Sequence, residues 1–392
     1  MITIKEVTNK KGMRIFADYP FRLYKNCPHY VPSFRSDEEN IMDPKKNPYL
    51  DDAEIRCFLA YRDGELVGRV AGILQKKYNR VSGRKCMRFS RFDCVDDEEV
   101  AAALIGAVEK YAREEGMDTV HGPWGFNDQD REGLLTYGFD RRATYCTNYN
   151  YPYYEKLIRG LGYEDESEWL EYDFEIPDKV DERISRIAER LKDKFKVREV
   201  SGTVPMNKLI ARYGRKAIGL VNEAYASLDC YVAVEGRSVT KVLDQFATVI
   251  NPRYFSMLVD EKEDVVGMAV MLPSLCEAIK KSDGRLFPFG FVRVLKAIKH
   301  PKELEMALIA VRPDYQKTGI NSLMISRIMK NLLEDKIEKV ESNPELVTNT
   351  AVQSQWTSLE KHVVKKRKCF IKRIAASETE AEAEAAAADA EN

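Results

Sequence analysis

At 392 residues, with 44% hydrophobic and 32% charged residues, the chain is long enough for two hydrophobic cores at roughly 150 residues per domain, and too apolar for a disordered polymer. Its 62 Lys+Arg against 63 Asp+Glu exclude a polyanion-binding role carried by whole-chain charge. No apolar run reaches the roughly 18 to 20 residues of a membrane span, and the N-terminal MITIKEVTNKKGM has no apolar signal core, so no membrane span is expected and the expected location is the cytoplasm.

A turn announces the first strands: CFLAY and LVGRVAGIL flank Asp63-Gly64, a pair suited to a two-residue hairpin. A strand at MRFSRFDCV precedes Asp96 and Asp97. Either can cap a helix whose Val100, Leu104, Ala107, Val108, Tyr111 and Ala112 share one face and which stops at Gly116. A strand at DTVHGPW, a short helix at PYYEKLIRGLGY and the apolar EWLEYDFEI follow. Past Pro177 the chain becomes charged and helix-prone. Helices are predicted across 206–226 and near 238–250, then a hairpin of YFSMLVD and VVGMAVML about Glu261–Asp264. A strand at ELEMALIAV, the loop RPDYQKTG, a helix at INSLMISRIMKNLLEDK, a strand at IEKVES and a helix near 349–361 complete the second half. Both halves read hairpin, strand, helix, strand, helix, strand. The duplication lies in the pattern, with little residue identity.

Near the end, Lys361–Arg373 holds seven Lys/Arg. The alternation of Phe370, Lys372 and Ile374 predicts a charged edge strand there in preference to an RNA or lipid patch, and no nucleic-acid partner is expected. Residues 376–392 are acidic and poor in large apolar groups, a solvated tail. The eight cysteines form no CxxC pair and the four histidines have no helical spacing, which predicts reduced, packed thiols and no metal site.

The segment LIAVRPDYQKTGINSLMISRIM runs from an apolar strand through a polar loop with Gly319 into a helix, an arrangement that aims backbone N–H groups at one point by the positive end of the helix. With the hairpin upstream, it resembles the GNAT superfamily of acyl-CoA-dependent N-acyltransferases, whose signature is Gln/Arg-x-x-Gly-x-Gly/Ala between a strand and a helix. The resemblance implies that the N–H groups of Gln316, Lys317, Thr318, Gly319, Ile320 and Asn321 hold the pyrophosphate of acetyl-CoA, and that Leu308, Ile309, Ala310 and Val311 pair with its pantetheine arm. Asn321 departs from the family's Gly or Ala. The matching stretch of the first half, FDCVDDEEVAAAL, has no glycine and has four acids, Asp96 to Glu99, so the first half is expected not to bind CoA. Its Tyr154 to Gly162-Tyr163 nevertheless resembles the family's closure of the last helix, and DGRLFPFGFVRVLKAIK looks like a segment of uncharacterised bacterial tandem-GNAT proteins.

That chemistry needs a base for an ammonium and an acid for the leaving thiolate. Glu341, ending IEKVE, is the leading candidate base, with Glu305 and Glu303 at the start of the neighbouring strand. A solvated strand-end carboxylate is the competing reading for each. Asn349 is a candidate pantetheine contact or a plain N-cap. Seven residues beyond it, where the family often has its acid tyrosine, stands Trp356. The stretch GRLFPFGFVRVLKAIKH reads foremost as an amphipathic connector packed on the sheet, with a lid or a membrane-touching helix as alternatives. Tyr145, Tyr149, Tyr151, Tyr153 and Tyr154 are read as packing plus pocket lining. NPYLDDAE and GPWGFNDQD are turns or receivers of a cationic amine.

The expected protein is α/β, two tandem GNAT-like domains, each a mixed, mostly antiparallel sheet flanked by helices. Residues 1–177 form one without a CoA loop, 178–375 one with it, and 376–392 the tail. The expected activity is transfer of acetyl from acetyl-CoA to an amine of a small molecule or peptide. Its rivals are a catalytically silent GNAT-fold binding scaffold and a Fem-type transferase that takes its acyl group from an aminoacyl-tRNA.

Overall fold

A computed structural model of the chain describes residues 1–179, 182–202, 205–356 and 359–374, so the expected acidic tail lies outside the described residues. In chain order the strands are β1 (Ile2–Glu6), β2 (Ala53–Arg62), β3 (Glu65–Gln75), β4 (Cys86–Cys94), β5 (Thr119–Gly122), β6 (Leu134–Tyr137) and β7 (Glu164–Phe174), then β8 (Arg198–Glu199), β9 (Phe255–Val259), β10 (Val265–Pro273), β11 (Glu303–Val311), β12 (Lys339–Ser342), β13 (Glu345–Leu346) and β14 (Lys361–Arg373). The chain divides into two compact units. Of the described residues, one holds Met1–Arg142, Asn148–Glu168 and the stretch from Arg367 to Ile374; the other holds Ala143–Thr147 and Trp169–Lys366. The join expected at 177/178 differs from this division because β7 and β14 each contribute residues to both units.

In the first unit the strand order is β1-β2-β3-β4-β5, with Phe370–Arg373 of β14 antiparallel to β5. All neighbours are antiparallel except β4 and β5. The hairpin turn places Asp63 at φ 50° and Gly64 at φ 88°, the left-handed pair whose twist matches that of the flanking strands. The helix Glu98–Glu114 buries Val100, Leu104, Val108 and Tyr111 against this sheet. Close approach is possible because β3 has glycine beneath it. A Cβ at Gly68 would stand 2.6 Å from Leu104 Cδ1, and one at Gly72 2.9 Å from Tyr111 Cδ1.

The second unit repeats the plan in the order β7-β12-β11-β10-β9-β8, with β11 parallel to β12 and the other pairs antiparallel. Its helix Asn321–Glu334 packs Met324, Ile328 and Leu332 into a core with Leu258, Val266 and Val340. The helices Met206–Tyr225 and Arg237–Val249 lie where periodicity places them.

Three expectations are corrected. The helix near 349–361 shrinks to Thr350–Gln353 and a 3-10 turn, Ser354–Trp356. The basic C-terminal segment is no edge strand: β14 is one 13-residue strand with β5 and β7 as neighbours, and its Lys365 and Arg367 are fully buried. Alternation alone hides this, because a buried cation needs acids supplied from distant strands. The connector packs only part of its apolar surface: in the helix Gly290–Lys299 only Gly290 is fully buried and Val294, Ala297 and Ile298 are half-buried, while Phe287 is 77% and Phe289 70% exposed.

Candidate active site

Strand β11 pairs with β12 only from Glu303 to Met306, opposite Lys339 to Ser342. The last link across is Asn343 N–H donating to Met306 O at 3.1 Å, after which the strands part. At the parting point β11 bulges: Val270 faces Leu308 and Met271 faces Met306, leaving Ala307 as the extra residue. Farther along, Tyr225 donates its hydroxyl to Ile309 O at 3.0 Å.

Beyond Val311 the chain makes the short turn Pro313–Tyr315 and enters the predicted loop. Arg312 fastens its entrance, pairing with Asp314 at 2.8 Å and Asp260 at 3.2 Å. Thr318 Oγ1 donates to Tyr315 O at 2.6 Å, and Lys317 and Gly319 adopt left-handed φ of 61° and 84°. Among the described residues, the amides of Lys317, Gly319 and Asn321 have no hydrogen-bond acceptor. The helix that follows has no acid in its first turn and no side-chain cap, and the buried hydroxyl of Ser322 has no partner among the described residues. Uncapped amides, an orphaned hydroxyl and the positive end of a 14-residue helix together fit a pyrophosphate. Asn321, the departure from the signature, engages Gln355 Oε1 through its Nδ2 at 3.2 Å, and Asn349 is an N-cap, accepting from Val352 N–H at 3.3 Å.

The equivalent helix end in the first unit is closed by its own side chains. Asp97 caps it by accepting from Val100 N–H at 3.0 Å, and Arg62 pairs with Asp97 at 2.7 Å and Glu99 at 2.9 Å.

Three carboxyl groups of the second unit have different surroundings. Glu341 is held between two lysines, Oε2 by Lys339 at 2.6 Å and Oε1 by Lys365. Lys365 also meets Glu171 at 2.8 Å, and Lys339 meets Asp173 at 3.3 Å, so Glu341 lies in a chain of alternating charges. Glu305, paired in register with Glu341, accepts from Ser274 Oγ at 2.8 Å, Cys276 Sγ at 3.3 Å and Tyr145 N–H at 3.0 Å. Burial raises its pKa against those three donors, with Glu341 adding to the rise. Glu303, the third candidate, is half-buried at the start of β11.

Sequence reasoning missed Glu345. Its carboxyl is buried beside the indole of Trp356; among the described residues neither Oε2 nor the indole Nε1 makes a hydrogen bond of good geometry, but the indole N–H still favours the ionised carboxylate. Burial pushes its carboxyl up to about 7, opposed by Lys361 and the indole. Asn343 Oδ1, just past the strand separation, is buried and has no partner among the described residues. The count that reached Trp356 was the available signal; nothing local marks Glu345, because its burial depends on β7 and on Trp356, which packs against Phe174.

The first unit has a polar recess, ≈ 580 Å³ of empty volume with its mouth included. Tyr30, Ser90, Asn148, Tyr149 and Asn150 line it alongside a network in which Arg69 meets Asp93 at 2.8 Å and Glu38 at 3.3 Å, and Arg91 meets Glu38 and Asp130, both at 3.2 Å. Arg91 sits at φ 50° in a β4 bulge. Burial alone would raise the pKa of Glu38, but Arg91, Arg69 and Arg131 hold it low. Of the tyrosine cluster, Tyr149 lines the recess and Tyr154 is fully buried, its hydroxyl 2.9 Å from that of Tyr24. In the GPWGFNDQD segment, burial pushes Asp128 up to about 7, and its Oδ1 has no partner among the described residues. Among the described residues no helix is long and apolar enough to cross a membrane.

No family model matches the chain. It is 24% identical over 378 residues to Protein YghO of Escherichia coli, covering 95% of each chain. It is 28% identical over 342 residues to the bacterial ceramide synthase of Caulobacter vibrioides, covering 84% of this chain and 85% of that one. A solved tandem GNAT protein from the clavulanic acid biosynthesis pathway superposes with a TM-score of 0.57 at 11% identity, covering 96% of this chain and all of the other. With a hairpin, a bulged strand, a helix and a parallel strand in each unit, the chain has the tandem fold of the GCN5-related N-acetyltransferases.

Proposed function

We propose that the second unit transfers an acyl group from an acyl-CoA thioester to an amine, forming an amide, and that the acyl chain or the amine is lipid-like. The observation that carries the transfer is the Gln316–Asn321 loop, whose uncapped amides stand beyond the strand that parts from β12. The loop would hold the pyrophosphate and the free stretch of β11, Leu308 to Val311, the pantetheine arm. The lipid character rests on the ceramide synthase relative, since ceramide synthesis joins a fatty acyl group to a long-chain amine. Acetyl, the donor suggested by the resemblance, becomes one end of a chain-length series.

The thioester supplies an activated carbonyl carbon. The amine forms the new C–N bond as the C–S bond breaks, the ammonium proton passes to a carboxylate, and the thiolate takes a proton on leaving. Glu345 is the carboxylate we assign to this transfer, directly or through one water. Among the described residues its Oε2 makes no hydrogen bond of good geometry and its carboxyl has only the Trp356 indole and Lys361 to favour its charge, whereas Glu341 is bound to two lysines and Glu305 to three donors. It also lies beside Trp356, the position at which the resemblance puts the thiol's acid. The first unit, its helix end closed by Asp97, acts without CoA.

Calorimetric titration with free CoA, acetyl-CoA and palmitoyl-CoA tests the reading, repeated on Gly319→Glu. That variant puts a carboxylate and a strained left-handed residue in the loop. The expectation is one saturable site, at least about tenfold weaker in the variant, and amide formation by palmitoyl-CoA with a long-chain amino alcohol. Absence of binding at millimolar CoA would leave a GNAT-fold scaffold or a tRNA-dependent enzyme. Binding with turnover of small amines and acetyl-CoA alone would remove the lipid part.

A further inference from the structure

The apolar side chains that the connector fails to bury gather in one place. Phe287 is 77% exposed, Phe289 70%, Val292 51%, Leu295 48% and Phe291 42%. Phe291 and Leu295 are four residues apart and Val292 and Leu295 three, so they share one arc of the helix Gly290–Lys299. Lys296 and Lys299 fall on that same arc, both exposed, while the half-buried Val294, Ala297 and Ile298 form the opposite, inward stripe. Phe287 and Phe289 extend the apolar surface from the preceding turn, with the Phe287 and Phe291 rings 5.9 Å apart.

Charge selects the partner. From Gly284 to Lys302 the chain carries five cations, Arg285, Arg293, Lys296, Lys299 and Lys302, and no acid, in a protein whose net charge is −1. Among these, Arg293 is tied to Lys281 O at 3.0 Å and Ser282 Oγ at 3.1 Å, which anchors the helix to the preceding turn. A helix that presents large apolar groups interleaved with lysines and has no acid suits an anionic lipid surface: the rings enter the acyl boundary and the ammonium groups stay at the phosphates. A second copy of the chain would bring the same cations against these.

We infer that the surface formed by Phe287, Phe289, Phe291, Val292 and Leu295, with Lys296 and Lys299, docks the protein on an anionic lipid bilayer. The docking is peripheral and reversible, and it stands whatever amine the second unit acylates.

Co-sedimentation of the full chain with vesicles, without any acyl donor, tests this apart from turnover. One set is phosphatidylcholine alone and the other a seven-to-three mixture of phosphatidylcholine and phosphatidylglycerol. The expected result is binding at least about tenfold tighter to the mixed vesicles, falling by about tenfold or more in Phe289→Glu/Leu295→Glu. Because both residues are exposed, that variant should keep the wild-type circular dichroism. Lys296→Glu/Lys299→Glu, at two further exposed positions, should lose the preference for phosphatidylglycerol even if the first variant misfolds. Wild-type protein remaining in the supernatant with both vesicle types would overturn the inference, as would a doubly substituted variant that sediments like wild type. So would a concentration-dependent dimer in size-exclusion chromatography that Phe289→Glu abolishes, since a second copy would then be the occupant.

Discussion

Glu341, Glu305 and Glu345 are contributed by three strands of one unit, and what separates them is their partners. Two lysines hold the charge of Glu341, three donors engage Glu305, and the burial of Glu345 is only partly offset by Lys361 and the Trp356 indole. A base must be ionised to act, so a carboxyl pushed up to about 7 makes turnover rise with pH through neutrality and level off above it. Glu345→Gln is expected to lower kcat by about 10²-fold or more and to flatten that limb, in a pH–rate profile measured with saturating donor. An unchanged profile would return the role to Glu305. Glu345 was not legible in the sequence: its neighbours Trp356, Lys361 and β7 are brought to it only by the fold. Gly319 was legible, because a left-handed turn before a helix is written locally.

At the scale of elements, helix and strand have to be read together. The helix Glu98–Glu114 is defined by its apolar spacing, the Asp97 cap and the stop at Gly116, all present in the sequence. Its seat on β3 is not, since Gly68 and Gly72 look like weak points of a strand until the helix crosses them. Gly68→Val would drive a methyl-bearing Cβ toward Leu104 and Cys94. It should cost about 1–3 kcal/mol of stability, read as a lower urea midpoint. A midpoint equal to wild type would mean that the helix shifts freely on the sheet. The connector helix is the converse case. Its periodicity is amphipathic in the sequence, but the apolar arc that periodicity assigns to a core is exposed.

At the scale of the whole molecule, the last strand carries its own sequence of charges into the interior. Lys365 has no exposed surface and lies between Glu171 and Glu341, with Lys339 and Asp173 continuing the alternation. Breaking a buried pair on one side leaves charge without compensation, which costs more than the intact pair contributes. Lys365→Met is therefore expected to destabilise the second unit by about 3–5 kcal/mol, measured by urea denaturation. Adding Glu171→Gln should restore part of that loss. Equal stability of the single and double variants would show that the chain of charges is not coupled. The same strand gives Phe370–Arg373 to the first unit, where it pairs with β5 in the sheet that also holds β1.

Local residue patterns are enough to specify the repeated hairpin, strand, helix and strand, the loop ending in Gly319 and the acid-capped helix of the first unit. These depend on backbone dihedrals, periodicity and residues within a few positions of one another. Long-range packing settles which carboxyls are buried and beside which groups, which lysine is buried, where the units divide and which phenylalanines remain exposed. Desolvation and charge pairing depend on side chains that meet from strands far apart in the chain, and no local pattern encodes that meeting.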